Sequence, residues 1–584
     1  MLTDAKEEGN VLILQALDGS KAFDGVSQII NQVKLFHHGI QDRNLLMVQE
    51  QYREQTKIIR WEGKDSKPIY TEQGVAQGAH NSPAQYLIHN NSNLEALDLH
   101  SNGYRIGHIK ITNVTCADDE LLASSSHLDA QTQLNLISAE CGRDRNIVNG
   151  SKTEAKLLNT ENLELFYNDN QVPINPSAKH LGLELSENSI KAEKIIEKSR
   201  KTIYALMGTG VHGRNGINPI VSRKIWDRYN IPRCTHGLDV QILSTSELQH
   251  VQTHEHKYLK MTQSLPKFAP NILTHILVGG KPITSFIHQK MLSLLMNIRR
   301  KEGFEFNIGN RQLAMKPFSS NSWFQRVNRV ANIYGLPNSY TVFEEWPWAK
   351  QNWKQVVRNA INDHLETSWR QQISNLTSLH MMNPLTIQVG KYHPAWETAG
   401  YSVQATKEAI SKVRFLTDTL MNGEKLNQMY GQNSKCLCSY PLENRFHLLL
   451  DCPIYNDVRQ FCVTRMVNFI TSNHPEITEA QVRQRTTLCF LLLDPSWFRQ
   501  DIGSETLPLP IIRSVPPLPN IFSEMEGNTL EHFGRKFCFQ VYTRRNQLIF
   551  NEGSDSETED EDSYSLHDTS DDTSSIDTSF TEED

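Results

Sequence analysis

Leu17-Asp18-Gly19-Ser20-Lys21-Ala22-Phe23-Asp24, then Gly74-Val75-Ala76-Gln77-Gly78-Ala79-His80-Asn81-Ser82-Pro83, then Cys116-Ala117-Asp118-Asp119 stand in this order within the first quarter of the chain. They bring an isolated carboxylate together with an adjacent carboxylate pair. Two divalent cations about 4 Å apart need such an acidic cluster to run an in-line phosphoryl displacement. Residues 11–17 form a short apolar run that closes on Asp18, which reads as a buried strand ending at a cleft. Phe23, Val26, Ile29, Ile30, Val33 and Leu35 recur near helical spacing, so a helix is expected over 21–40 with Gly39 as its stop. Asp24 reads as a residue that caps or braces this helix. Alternation from Thr56 to Tyr70 predicts a hairpin turning at Glu62-Gly63-Lys64. Ser82-Pro83 predicts a helix start, since proline is tolerated in the first turn. Tyr104 to Val114 reads as one strand, with Cys116-Ala117-Asp118-Asp119 as the tight turn into Leu121-Leu122. Alternating strands and helices of this kind predict an α+β fold.

At 584 residues the chain exceeds one hydrophobic core. No run of about 18 apolar residues is present, so no membrane partner is expected. Val11 to Leu14 is too short for the apolar part of a secretion signal. An odd count of nine cysteines, scattered except for one group after residue 435, suits a reducing, intracellular location, nucleus or cytoplasm. The formal net charge of −7 is set by the last stretch, because residues 552–584 hold 14 acidic side chains and no Lys or Arg. The remainder carries 59 basic against 52 acidic side chains, a balance compatible with binding a phosphate backbone. Past Asn551 the composition of Asp, Glu, Ser and Thr predicts a disordered acidic tail.

The three segments resemble motifs A, B and C of the reverse transcriptase of non-LTR (LINE-type) retrotransposons. Asn149-Gly150-Ser151-Lys152-Thr153 is similar to motif D of that family, and His180-Leu181-Gly182 to the segment leading into its thumb. The resemblance implies a right-hand polymerase: a palm over 1–160, a thumb connection and thumb over 161–240, a helical region over 241–430 and a zinc-knuckle-like segment over 431–465; a C-terminal helical segment over 466–550 and the acidic tail over 551–584 are expected to follow. Only 17 residues precede Asp18, where the family has a fingers subdomain, so the resemblance implies an N-terminally truncated element with the fingers largely missing.

By the same resemblance Asp18 and Asp118 are shared ligands of two Mg2+ ions, and Asp119 completes the acidic cluster. One ion would activate the primer 3′-hydroxyl and the other would hold the triphosphate. Phe23 would sit under the sugar and exclude a 2′-hydroxyl, Gln77 and Gly78 would seat the incoming nucleotide, and Lys152 would neutralise or protonate the pyrophosphate. Read without the family, Phe23 is also a core aromatic and Lys152 a solvated turn lysine. Cys116 replaces the Tyr or Phe usual before the carboxylate pair. The implied partners are an RNA template, a DNA primer and deoxynucleoside triphosphates. The competing reading is a non-catalytic nucleic-acid-binding remnant of the element.

Downstream, Cys436-Leu437-Cys438, His447 and Cys452-Pro453 offer three thiolates and an imidazole, the donor set of a closed structural Zn2+ site. The cluster resembles the zinc-knuckle-like segment downstream of the polymerase in such elements, and the bland alternative is buried cysteines beside a helix bearing His447. Arg445 and Arg459 are expected as phosphate partners there. His254-Glu255-His256 is read as a polar helix face rather than a metal site, since neighbours two apart on a helix diverge. Lys191 to Met207 is expected to be a Lys-rich amphipathic helix, and 220–430 mainly helical with proline-containing loops near 266–283 and 337–347.

Overall fold

The computed structural model describes residues 1–19, 22–76, 78–150, 152–161, 163–186, 188–208, 216–301, 303–314, 322–338, 341–342, 350–502 and 518–552. Gln77 and the tail from residue 553 onward therefore lie outside the described residues, as does most of the loop expected near 337–347. The chain divides into two compact units, one of Met1–Ile190 with Gly237–Ser244 and Lys290–Val357, the other of Lys191–His236, Thr245–Gln289 and Arg358–Asp584.

The first unit opens with α1 (Leu2–Glu8), β1 (Leu12–Asp18), α2 (Ala22–Gly25), α3 (Gln28–His37) and α4 (Asp42–Tyr52). A hairpin of β2 (Thr56–Lys57), β3 (Arg60–Trp61), β4 (Lys64–Asp65) and β5 (Ile69–Tyr70) follows, then α5 (Ser82–His100). Next come β6 (Tyr104–Ile106), β7 (Ile109–Ile111), β8 (Asn113–Cys116), β9 (Asp119–Ser124), α6 (His127–Asp144) and β10 (Glu154–Leu158). The four-stranded sheet has the order β10-β1-β9-β8, and every pairing in it is antiparallel.

β1 lies inside this sheet with both faces covered, which explains why its sequence is a continuous apolar run. Ile13 and Leu17 pack with Leu122 against Ala130, Leu134 and Ile137 of α6. Leu12, Leu14 and Ala16 join Tyr104, Ile106, Ile111, Leu121 and Ala123 on the other face. Each such aliphatic side chain removed from water contributes roughly 1.5–3 kcal/mol. An aspartate at Ile13 would therefore place a charge between strand and helix with nothing to pair it.

Three expectations need correction. The helix over 21–40 is two helices, because the chain breaks at Val26 and Ser27, whose hydroxyl caps α3 at the Ile30 N–H. The apolar stripe is also inverted: α3 buries Gln28, Asn31 and Leu35 and leaves Ile29, Val33 and Phe36 exposed. The strand expected over 104–114 is a hairpin of β6 and β7 followed by β8, because Gly107 turns at φ +60°. The hairpin at Glu62-Gly63 forms as expected, with both residues at positive φ, the twist a two-residue turn requires. Its four strand segments are exposed on both faces.

The first unit continues through β11 (Phe166–Tyr167), β12 (Asn170–Gln171), β13 (Ala178–His180) and β14 (Leu183–Leu185). His180-Leu181-Gly182 is the β13–β14 turn, with Leu181 and Gly182 at φ +52° and +72°. Its later segments join by backbone-directed bonds: Arg326 donates to the Val240 and Gln241 carbonyls, and Trp323 Nε1 to the Asp239 carbonyl.

The second unit is helical. It begins with α7 (Ala192–Gly208), close to the Lys-rich helix expected. The helix Val403–Leu416 packs against the long helix Glu524–Glu552, with a fully buried Lys412–Glu531 ion pair of 2.6 Å between them. The loop expected near 266–283 contains a helical turn, Leu273–Ile276. Among the described residues no helix is long and apolar enough to cross a membrane.

Candidate active site and metal centre

β1 and β9 run antiparallel with Asp18 directly opposite Asp119, so both side chains leave the same face of the sheet at its end. Asp118 occupies the two-residue turn between β8 and β9, with Ala117 held at φ +59°. A Cβ placed on Gly19 would meet the Asp118 Cβ at 3.2 Å, so any larger residue after Asp18 would push the turn away from β1 by a few tenths of an ångström. Cys116 is exposed. The structure thus brings all three carboxylates to one strand end.

The Asn149–Thr153 segment reaches the same place. The Asn149 N–H donates to the Asp18 carbonyl at 2.9 Å, Val148 bridges to Gly19, and Lys152 Nζ lies 3.0 Å from Asp18 Oδ2. This ammonium shows where the cluster collects positive charge. Among the described residues the carboxylates do not form a group of three converging donors. Mg2+ sites commonly use one or two carboxylates and take their other oxygens from substrate phosphates and water. The hard oxygen donors of Asp18 and Asp118 fit that requirement.

Phe23 is half-buried and stacks on Tyr86 of α5, with ring centroids 5.2 Å apart. The Gly74 loop is laced to the segment after β1: Gly74 N–H donates to the Val26 carbonyl and Val75 N–H to the Phe23 carbonyl. Gly74 has φ +93° with the Asp24 backbone against it, and Gly78 is exposed at φ +88° with open space around its Cα. Asp24 is exposed within α2.

Sequence reasoning missed the buried floor behind these groups. Glu120 accepts from Asn90 at 2.6 Å and Asn93 at 3.3 Å, and burial pushes its carboxyl up against those two hydrogen bonds. Burial, with Asp118 and Glu120 adding to it, pushes the Tyr86 phenol up. Both residues line a concavity with Asp118, Gly19 and Asn146. Glu120 follows the carboxylate pair directly and points to the opposite face from Asp119, so alternation along β9 was the one available signal. His180 lies near Asp119; burial lowers its basicity and Asp119 opposes that.

In the second unit Cys436, Cys438, His447 and Cys452 converge, their donor atoms all within 4.8 Å of one another. Cys436 Sγ and Cys452 Sγ are 3.7 Å apart, and Cys438 Sγ and His447 Nε2 3.2 Å. A tetrahedron with metal–sulfur bonds of 2.3 Å has S–S edges of about 3.8 Å, so the sulfur pair fits Zn2+. The single residue between Cys436 and Cys438 is accommodated by a turn: Ser439 N–H donates to the Cys436 carbonyl, Cys436 N–H to the Tyr440 carbonyl, and Ser439 lies at φ +69°. Tyr440 stacks on His447 at 4.4 Å and fixes the ring plane. Burial pushes the Cys436 and Cys452 thiols up, so keeping them as thiolates takes a positive charge between them.

The two arginines expected to meet phosphate do not face outward. Arg445 is buried and donates to the carbonyls of Ser378, Phe415 and Leu416. Arg459 donates to the carbonyls of Leu449 and Cys452, bracing the segment between His447 and Cys452. Unsatisfied helix-end carbonyls claimed these guanidinium groups before any ligand could. His254-Glu255-His256 is not a polar surface either. It lies within the helix Thr245–Thr262, where Glu255 is buried and accepts from the Ile283 N–H at 3.0 Å, while His254 and His256 bond Ser199 and Thr274. Burial lifts the Glu255 carboxyl to about 7 and lowers both imidazoles to about 4.

No curated protein matches this chain. Residues 2–185, about a third of its length and the whole of the carboxylate-bearing sheet, match the family model for reverse transcriptase (RNA-dependent DNA polymerase).

Proposed function

We propose that the chain is the RNA-directed DNA polymerase of a non-LTR retrotransposon, acting by two-metal nucleotidyl transfer on an RNA template, a DNA primer and deoxynucleoside triphosphates. The observation that carries this reading is that Asp18, Asp118 and Asp119 lie together at one strand end, where the β8–β9 turn closes on Gly19. Asp18 and Asp118 would hold Mg2+, which when bound would lower the pKa of the primer hydroxyl and offset the charge of the triphosphate. Asp119 keeps the strand end acidic. Lys152 is positioned to exchange its bond to Asp18 for one to pyrophosphate, and Phe23, backed by Tyr86, forms the floor for the sugar. Gln77 and Gly78 seat the nucleotide, the latter through backbone free of any side chain. In this reading 1–160 is the palm, 161–240 the thumb and its connection, and 431–465 a zinc-binding segment held by Cys436, Cys438, His447 and Cys452.

The Asp18–Lys152 ion pair favours a second reading, in which the fold binds nucleic acid without polymerising it. Primer extension on a homopolymer RNA template with Mg2+ decides between them. Extension that disappears in Asp118→Ala supports the polymerase. Salt-sensitive binding retained by Asp118→Ala, with no extension by either protein, selects the binding module.

A further inference from the structure

In the second unit a solvent-open cleft of about 210 Å³ lies beside the Cys/His group, walled by His380, Phe446, Leu450, Arg485, Thr486 and Phe490. It is smaller than the ~300–1,000 Å³ usual for a whole small-molecule ligand. Such a cleft takes one ring system presented by something larger. Its chemistry is that of a flat group with an anion attached. The Phe446 and His380 rings stand with centroids 6.1 Å apart, and the Arg445 guanidinium holds both, lying 4.9 Å from the Phe446 ring centroid and 3.3 Å from His380 Nδ1. Phe490 is buried and packs edge-on to Trp497 and Phe498, so the floor is rigid.

At the mouth, Arg485 is exposed and binds both carboxylate oxygens of Asp451 through Nη1 and Nη2, leaving Nε–H and the outer Nη hydrogens. A guanidinium has five N–H donors, so further donors remain for an incoming group. Arg485 also begins the helix Arg485–Leu493, whose N-cap Gln484 makes no side-chain cap bond, and the first-turn N–H groups add positive potential there.

We propose that this cleft receives one unpaired nucleobase of a single-stranded nucleic acid, stacked on Phe446 with its adjoining phosphate on Arg485. The proposal rests on the reading of the chain as a nucleic-acid enzyme and names what the Cys/His region does within it. The Cys/His group sets the position of the stacking wall, because Phe446 immediately precedes His447. An aromatic side chain of a protein partner would also fill the space, but it brings no phosphate for Arg485.

The test uses the full chain and fluorescence anisotropy with a labelled short single-stranded RNA and its blunt duplex. Phe446→Ala should weaken single-strand binding about tenfold, as expected for loss of one base–aromatic stack, and leave duplex binding unchanged. Thr486→Trp, which plugs the mouth from an exposed position, should do the same. Bound zinc and circular dichroism report whether each variant is folded. Equal losses for single strand and duplex, or no loss in two folded variants, overturn the proposal. So does displacement of the RNA by N-acetyltryptophanamide and not by adenosine monophosphate. Primer extension is scored separately: its absence in a chain that still shows the single-strand pattern refutes the polymerase reading alone.

Discussion

Glu443 is the residue through which the Cys/His segment is fastened to the C-terminal helix. Its carboxylate takes both Nε and Nη2 of Arg545, at 3.0 and 2.8 Å, and accepts the Gly423 N–H at 2.7 Å. Both side chains are nearly inaccessible, at 4% and 7% exposure. Replacing Glu443 by Gln keeps the shape and an acceptor for Gly423 but leaves the Arg545 charge buried without a counter-ion. Breaking one side of a buried pair costs about 3–5 kcal/mol, and the retained hydrogen bonds place this change near the lower end, about 3 kcal/mol. At 1.4 kcal/mol per factor of ten, the Gly423 and Glu424 amides should exchange with deuterium roughly a hundredfold faster. Mass spectrometry of the peptide spanning these residues reads that change without unfolding the whole chain. Adding Arg545→Met removes the orphaned charge and fills its stem volume, so the double variant should regain most of the protection. A single variant that exchanges like the parent refutes this reasoning, as does a double variant no slower than the single.

Two further outcomes follow from the same geometry. Metal analysis after purification should find one zinc per chain. Cys452→Ser, which removes a buried ligand, should abolish it, whereas zinc retained at parent stoichiometry would refute the four-ligand site. Glu255 gives a pH signature. Its carboxyl titrates at about 7 when folded, above the usual 4.5, so the folded state binds the proton more tightly. The stabilisation is complete below about pH 4.5 and is lost as pH rises to about 7. The parent chain should therefore melt at lower temperature at about pH 8 than at about pH 5, and Glu255→Gln should flatten the difference. An unchanged slope in the variant would assign it to other groups.

The strand end that carries the carboxylates was legible because its signals are local. An apolar run ending in Asp18, a proline one residue into α5 and a two-residue acidic turn each state their own geometry. What failed depended on neighbours distant in sequence. The α3 stripe of Ile29, Val33 and Phe36 faces outward because Gln28 and Asn31 find partners inward, on the Gly74 carbonyl and Gln85. Glu255 looks solvated between two histidines until the Ile283 N–H is seen to need an acceptor. Arg445 and Arg459 carry the same residue type as a phosphate clamp, and only the helix-end carbonyls around them reveal their structural use.

The central position of β1 has a consequence for how the chain is made. Its neighbours begin at Asp119 and Glu154, and the last register pair joins Leu12 to Leu158. At ribosomal rates of ~5–20 residues per second, roughly 7–30 s pass between emergence of this strand and emergence of its outer partner. Both edges of this uncharged Leu-Ile-Leu segment are unpaired until β9 emerges, and one edge is unpaired for the rest of that interval. The carboxylate at its tip is delivered to the site only when the sheet closes over it, so synthesis rate and chaperone access govern the yield of assembled sites.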